Sequence, residues 1–399
     1  MLSNKIGFAV FVSILGFLSF GALILLKYDY AIVAFRDVYL RGRVNPSITE
    51  TGSVLTRNVR EISTGEPQPW SLAADYNDVV LPADMKTKMD RLNTAAFLVI
   101  QNGVIKQEEY WPGFDLSSRT NSNSVAKSFV GTLVGIALAE GKIRSLDQPV
   151  SEFVPGFDTG ARAQLTIRHL LTMSAATDFR ESYKSLSAFP ARAHFGDDLT
   201  DLLLTDFRIT DDLGRSHKYD SSNTALLGLV LTHGVGQSIS DYAAEKLWRP
   251  MGAERPALWS LDHADGLEKA YCCLYATARD FARLGQLYLN GGVWNGRQLV
   301  PADYVAEAIS AAPLEDATGQ KTERYGFHWW RMRHRGHDVY YGWGYQGQYV
   351  AVIPDQNIVM VRLGDGGGLN QDHHKLDLPL YLDAALMVSR QEGADGGRS

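Results

Sequence analysis

Ser124 and Lys127 stand three residues apart in Ser124-Val125-Ala126-Lys127, just before the apolar-periodic run FVGTLVGIALAEG (129–141). Residues three apart on a helix share a face. The lysine amine can therefore lie beside the serine hydroxyl and, when neutral, accept its proton. Burial would favour that neutral form, because desolvation disfavours the ammonium ion. A helix N-terminus also presents unpaired backbone N–H groups near the reacting carbon. Together these features describe a nucleophile with an adjacent base, the chemistry of acyl transfer. Lys127 is the only lysine of the chain with a serine three positions earlier. The plainer alternative is a helix-capping serine followed by a solvated lysine.

Two further groups belong with that pair. Tyr219-Asp220-Ser221 precedes the helical pattern SNTALLGLVLTHG. A tyrosine near a Ser–Lys pair can relay protons, and a nearby ammonium would favour its phenolate. Taken alone it is an ordinary residue ahead of a helix. The third group is Gly342-Trp343-Gly344-Tyr345-Gln346-Gly347. Its G-x-G-x-x-G spacing would need a following helix to bind a dinucleotide. A strand-like run follows instead, and two aromatic residues fill the loop. Glycines beside a strand edge could let substrate approach and offer an N–H to an oxyanion, or could simply form a bend. Trp329, Trp330, Tyr340, Tyr341, Trp343 and Tyr345 are dense here, suited to an acyl pocket or to cross-strand packing.

Other chemistry is not indicated. There is no G-x-S-x-G elbow and no H-E-x-x-H, the signatures of an α/β-hydrolase and of a zinc protease. The ten histidines are scattered, so no metal and no cofactor are expected. The 399 residues carry 39 Lys+Arg against 45 Asp+Glu, a net charge of −6. A mildly acidic chain without a basic run offers no footprint for phosphate backbones, so no nucleic acid is expected as a partner. With 45% hydrophobic and 21% charged residues, the composition is that of an enzyme-sized globular protein. The two cysteines are neighbours, Cys272 and Cys273, which excludes a disulfide framework. Adjacent cysteines pair only with strain, so free thiols are expected.

Gly7 to Leu26 reads GFAVFVSILGFLSFGALILL, twenty residues without a charge. At about 1.5 Å per residue this makes about 30 Å of helix, the thickness of a hydrocarbon core. It reads as an uncleaved membrane anchor, or as a signal peptide cut near Ser19-Phe20-Gly21 with the apolar run continuing past that site. One N-terminal transmembrane helix is thus expected, with the membrane as a partner through residues 7–26. The catalytic domain would then lie outside a bacterial-type inner membrane, or in the periplasm if the segment is cleaved. Residues 28–75 read as a connecting extension with turn signals at Asn45-Pro46, Thr51-Gly52 and 65–69. Residues 76–399 read as the main domain.

Within that domain, strand-like AAFLVIQ (95–101) and VIKQEEYW (104–111) flank Asn102-Gly103, a strong hairpin signal. A mostly helical section follows, about 145–310. Strands return at 324–332, 338–343, 348–354 and 357–363, with a tight turn at Asp355-Gln356, before a helical stretch at 376–390. Strands at both ends without β-α-β alternation argue against a doubly wound sheet. The pattern predicts one antiparallel sheet built from both chain ends, with flanking helices and an inserted helical region.

The three motifs, in this order, resemble the serine β-lactamase and penicillin-binding-protein superfamily. The likeness is to its class C-like branch, in particular to 6-aminohexanoate-dimer hydrolase-like enzymes. It is carried by FLVIQNGVIKQEEYW before NSVAKSF, by LTIRHLLTMSAATDF and RPMGAERPALWSLD, by ATARDFARLGQLYLNGGVWNGRQLVP, and by GYQGQYVAVIPDQNIVMVRLG. These stretches fall within roughly residues 90–390. The resemblance implies a β-lactamase-like α/β (α+β) fold and a metal-independent serine hydrolase that cleaves a small-molecule amide or ester through an acyl-enzyme. It implies Ser124 as the acylated nucleophile, with Lys127 and Tyr219 as acid–base groups and either one as the base. The backbone N–H groups of Ser124 and Tyr345 would form the oxyanion hole. Ser221, Trp343, Gly344 and Gln346 would support the site or bind substrate. A D-alanyl carboxypeptidase-like enzyme and a catalytically silent sensor domain fit the same elements.

The sequence also departs from that pattern. Ser221 stands where the family often has Asn, and Gly342 stands where a Lys or His often pairs with a substrate carboxylate. Ser174-Ala175-Ala176 replaces a stretch that often ends in Ser-Gly, and Cys272-Cys273 replaces frequent glycines. The Gly342 change makes β-lactam hydrolysis a weaker expectation than ester or linear-amide cleavage. Arg331 and Arg333 are the nearby cations that could restore the charge.

Overall fold

The computed structural model describes residues 28–35, 58–183, 185–367, 370–371, 374–375 and 377–389. The elements that position the site begin with helix α1 (Asp29–Phe35) and strands β1 (Val59–Ile62), β2 (Thr94–Gln101), β3 (Val104–Tyr110) and β4 (Thr120–Asn121). Helices α2 (Ala126–Ala139), α3 (Phe189–Phe195) and α4 (Ser221–Val235) follow, then β5 (Ala257–Ser260), β6 (Leu274–Ala276) and α5 (Ala278–Leu289). The chain closes with β7 (Trp330–His334), β8 (His337–Gly344), β9 (Gln348–Ile353), β10 (Ile358–Gly364) and α6 (Leu378–Ser389).

Asn102 and Gly103 both adopt left-handed backbone, φ 52° and 81°, and close the β2–β3 hairpin as their dipeptide predicts. The main sheet has the order β7-β8-β9-β10-β2-β3, antiparallel throughout. Its seam lies at β10–β2, where Val361 faces Leu98 and the two ends of the chain meet. Every residue of β2, β9 and β10 is buried, because both faces of the sheet are covered and no polar alternation is needed. Helix α6 covers one face and α5 the other. Gly285 lets α5 approach closely: a Cβ there would lie 2.6 Å from Val359 Cγ1.

A second sheet, β1-β5-β6-β4, lies in the inserted region. Its outer strand β4 runs directly into the Ser124 turn and pairs with β6, Thr120 opposite Ala276. Before the main domain, β1 pairs with β5 and Leu72 bridges to Ile105 of β3, so the chain packs on the domain from residue 58 onward.

Three expectations change. The apolar segment 7–26 lies outside the described residues, and no described helix is long and apolar enough to cross a membrane. The longest of them, α4, has 15 residues and reaches only about 22 Å, so the expected transmembrane helix is not found among the described residues. Strand pairing in 324–332 begins only at Trp330, apart from a bridge at Tyr325. Left-handed His328, φ 58°, turns the chain there. Cys272 and Cys273 are joined as a disulfide, not free. Cys273 is left-handed, φ 66°, in a turn held by Cys272 N–H on the Lys269 carbonyl and by Ser260 N–H on the Cys273 carbonyl.

Candidate active site

Left-handed Asn123, φ 46°, opens a 3₁₀ turn over Asn123–Val125 that leads into α2. Ser124 therefore sits in the turn rather than capping a regular helix, and Lys127 falls in the first turn of α2. Both are buried. Lys127 Nζ lies 2.9 Å from Ser124 Oγ and donates to the Tyr271 carbonyl at 2.8 Å. Burial pushes the Lys127 amine down to about 8, against the opposing pull of the Glu181 and Asp220 carboxylates. Lys269 is buried and pushed down to about 8 in the same way, but it faces the His194 carbonyl and no serine. Burial makes the amine available, and only the spacing to Ser124 gives it a nucleophile.

His328 braces this turn from beneath. Its Nδ1 lies 2.9 Å from the Lys127 carbonyl, and its Nε2 lies 3.2 Å from Thr224 Oγ1 on α4. Ser128 Oγ donates to the His328 carbonyl at 2.7 Å. Burial pushes the imidazole down to about 3, so the ring is neutral. It donates through Nδ1 and accepts the Thr224 hydroxyl at Nε2.

The Lys127 Nζ sits 5.1 Å from the centre of the Tyr219 ring, which sets the phenol beside the Ser124–Lys127 pair. The phenolate expected beside an ammonium is not favoured. Burial, with the Glu181 charge added, raises the Tyr219 hydroxyl well above its ordinary value. Tyr219 is therefore a neutral phenol, because desolvation outweighs the attraction of the amine.

Ser221, two residues on, donates its N–H to Glu181 Oε2 at 2.8 Å and its hydroxyl to Oε1 at 2.9 Å. Asp220 caps α4, accepting from Ser222 N–H at 2.8 Å. Tyr183 donates to Glu181 Oε1 at 2.9 Å. Tyr183 is half exposed and stacks on Tyr345 with centroids 4.4 Å apart.

The glycines of β8 allow the sheet to touch the nucleophile turn. A Cβ on Gly344 would lie 2.3 Å from the Ser122 carbonyl, and one on Gly342 would lie 3.0 Å from Ser128 Oγ. The Tyr345 carbonyl accepts from Asn123 Nδ2 at 3.0 Å and Gln348 Nε2 at 3.1 Å, which fixes the Tyr345 backbone beside Ser124. Trp343 packs with Trp330 at 5.9 Å and Tyr219 at 6.3 Å, forming an aromatic wall. Gln346 is left-handed, φ 63°, and its carbonyl accepts from Arg362 at 2.7 Å. Among the described residues no hydrogen bond joins Gln346 to the Ser124–Lys127 pair; its contacts hold the turn. The dense aromatics divide by strand alternation: Trp330, Tyr341 and Trp343 pack with the α6-side core, and Trp329 and Tyr340 with the α5-side core.

The structure thus brings Ser124, Lys127, Tyr219, Ser221, Trp343 and Tyr345 together. It adds Glu181, Tyr183 and His328, which the motifs did not mark. Glu181 and Tyr183 lie in a polar stretch without periodicity. Their usable signal is spacing, since residues two apart in extended chain point the same way. Among the described residues no group of His, Cys, Asp and Glu could hold a metal ion.

The beta-lactamase family model matches residues 81–384. The chain belongs to the beta-lactamase family. It is a serine hydrolase of the beta-lactamase superfamily. It is 28% identical over 319 residues to the 6-aminohexanoate-dimer hydrolase of Paenarthrobacter ureafaciens, covering 76% of this chain and 80% of that relative. Among solved structures, a Bacillus anthracis protein provisionally named a 6-aminohexanoate-dimer hydrolase matches with a TM-score of 0.72 at 21% identity. That match covers 84% of this chain and 91% of the other. A family VIII carboxylesterase matches with a TM-score of 0.61 at 16% identity, over 80% of this chain and 99% of its own. These structural likenesses are likenesses of fold.

Proposed function

We propose that this family member hydrolyses linear amides or esters with an uncharged acyl chain, through an acyl-enzyme on Ser124. The observation that carries the proposal is the buried Lys127 amine 2.9 Å from Ser124 Oγ. In the neutral state that amine takes the Ser124 proton as Oγ attacks the carbonyl carbon. The N–H groups of Ser124 and Tyr345 receive the oxyanion. The Tyr219 phenol, facing Ser124, protonates the leaving nitrogen or oxygen and recovers its proton from the Lys127 ammonium. Water then attacks the ester carbonyl with Lys127 again accepting the proton, and the bond from the carbonyl carbon to Ser124 Oγ breaks as the Lys127 ammonium returns that proton to Oγ and the acid leaves.

The substrate class is supported by what faces the cleft. Gly342 supplies no cation, and the nearby arginines are engaged elsewhere. Arg331 donates to the Glu323 carbonyl at 3.0 Å, and Arg333 donates to the Gly336 carbonyl at 3.0 Å and pairs with Asp338 at 3.4 Å. Trp330, Trp343, Tyr183 and Tyr345 present aromatic surface instead. The named hydrolase and carboxylesterase relatives agree with amide and ester chemistry.

The test is covalent. A fluorophosphonate probe should add once to the wild-type protein, on the peptide carrying Ser124. Ser124→Ala should take no label and lose about 10⁴-fold or more in kcat on any ester, the scale for removing a covalent nucleophile. Label on another serine, or equal turnover by the variant, would overturn the assignment.

A further inference from the structure

The Ser221 hydroxyl is shorter than the asparagine that the motif comparison leads one to expect, and the space beside it is filled from another segment. Glu181 enters there as a partly buried residue, and burial raises its carboxyl above the usual carboxylate range. Both oxygens are used: Oε2 accepts from Ser221 N–H, and Oε1 accepts from Ser221 Oγ and Tyr183 Oη. Three neutral donors satisfy the hydrogen bonds of a buried carboxylate but do not balance its charge, and an uncompensated charge is costly to bury. Of the charged groups, Lys127 acts on it most strongly, and the carboxylate in turn favours the Lys127 ammonium form.

We infer that Glu181 is a positioning residue: its carboxylate is the counter-charge of the Lys127 amine and locks Ser221 and Tyr183 around Ser124. The inference rests on the Ser124–Lys127 reading above and adds a member to that site.

The surroundings make the assignment specific. From α2 the group facing Glu181 is Lys127, and from the head of α4 it is Asp220, already committed to the Ser222 N–H and the Thr177 hydroxyl. The remaining titratable neighbours are tyrosines: Tyr183 on its own segment, Tyr219 before α4, Tyr271 beside the disulfide turn, and Tyr325 from the turn before β7. Burial keeps all four neutral, and the Glu181 charge adds to that. His328 lies beyond Lys127 and is neutral as well. The charged groups at the site are thus one amine and two carboxylates, Asp220 accepting from Ser222 N–H and Glu181 from Ser221 N–H at the head of α4.

Two effects act on Lys127 in opposite directions. Desolvation favours the neutral amine, and the Glu181 charge favours the ammonium. Removing the charge while keeping an acceptor for Ser221 leaves desolvation unopposed, so the amine becomes neutral at lower pH. A merely structural glutamate would not move this balance.

The test is the pH profile of fluorophosphonate labelling at Ser124, read with p-nitrophenyl butyrate hydrolysis, in wild type, Glu181→Gln and Glu181→Asp. The wild-type rate should fall as pH drops below a limb near 8. In Glu181→Gln that limb should move to lower pH by about one unit or more, the scale for removing a nearby opposite charge. Glu181→Asp retains the charge, so its limb should stay close to wild type even where its rate falls. Where Glu181→Gln does not fold, Glu181→Ala carries the same expectation. A folded charge-removed variant with an unmoved limb overturns the inference, as does a Glu181→Asp limb displaced as far as that of Gln. Absence of any wild-type adduct on Ser124 would overturn the underlying nucleophile assignment and this inference with it. An adduct with an unmoved limb overturns this inference alone.

Discussion

Tyr183 and Tyr345 stack with ring centroids 4.4 Å apart and planes inclined by 24°. One ring comes from the inserted region and the other from the β8–β9 turn, so the contact bridges the two parts that bound the site. The same Tyr183 reaches inward to Glu181, and the same Tyr345 is held from behind by Asn123 and Gln348. The stack therefore joins the Glu181–Tyr183 segment to the nucleophile turn.

Tyr345→Ala removes the stack while leaving the backbone N–H in place. Aromatic pairs of this kind contribute about 0.5–1.5 kcal/mol beyond their buried area, roughly a two- to tenfold effect. KM for a p-nitrophenyl ester should rise within that range, with a smaller change in kcat. Steady-state kinetics on the two proteins checks the split; a fall in kcat with KM unchanged would place Tyr345 in the chemistry through more than its backbone.

The state of Lys127 sets the pH dependence. Its amine titrates near 8 in the folded protein, and the neutral form is the one that accepts the Ser124 proton. The kcat/KM of the wild-type enzyme should therefore climb as pH rises through about 8 and level off above it. A profile with its acidic limb two units lower would assign the base to another group. Tyr219 offers no substitute, since its phenol stays protonated across this range.

Much of this was legible in the residues. Asn102-Gly103 announced its hairpin because only a few residue types accept two left-handed positions in succession. Ser124-x-x-Lys127 announced its pair because helical spacing turns sequence distance into contact. The two-ended sheet followed from strand-like runs separated by a helical region. What was hidden depends on contacts distant in sequence. His328 lies 201 positions from the Lys127 carbonyl it touches, and nothing local marks it, within a stretch whose apolar residues read as strand. Glu181 meets Ser221 across 40 positions. The Tyr219 phenolate was misjudged for a related reason: a sequence shows which charges come near, but not how much water is removed. The cysteine pair was misjudged because a left-handed turn at Cys273, set by backbone hydrogen bonds to neighbouring segments, brings the two sulfurs together.

Gly344→Ala tests the close approach of β8 to the nucleophile turn. A Cβ there meets the Ser122 carbonyl at 2.3 Å and the Cβ atoms of Gln348 and Asn123 at 2.9 and 3.1 Å, none of them the far end of a flexible side chain that could yield. The strand end must retreat, carrying the Tyr345 N–H away from the oxyanion. Displacements near 1 Å at reacting centres cost about a hundredfold in rate. We expect kcat to fall on that order while circular dichroism remains native. Wild-type kcat in a folded Gly344→Ala protein would show that this contact does not position the oxyanion donor.

The last prediction concerns substrate choice. A β-lactam carries a carboxylate, and losing a charge-assisted hydrogen bond to such a group costs about 1.5–3 kcal/mol, roughly ten- to a hundredfold in selectivity. Gly342 cannot make that bond, and Arg331 and Arg333 are held on the Glu323 and Gly336 carbonyls. The Trp330–Trp343–Tyr219 wall instead offers apolar surface to an acyl or amine chain, at ring separations of 5.2–6.3 Å. Under identical conditions kcat/KM for p-nitrophenyl butyrate should exceed that for nitrocefin by at least about tenfold. Trp343→Ala should narrow the gap by weakening the ester and leaving nitrocefin nearly unchanged, because the loss falls on apolar contact. A nitrocefin value equal to or above the ester value in the wild-type enzyme would mean that a cation other than the two arginines serves the carboxylate, and the argument from Gly342 would fail.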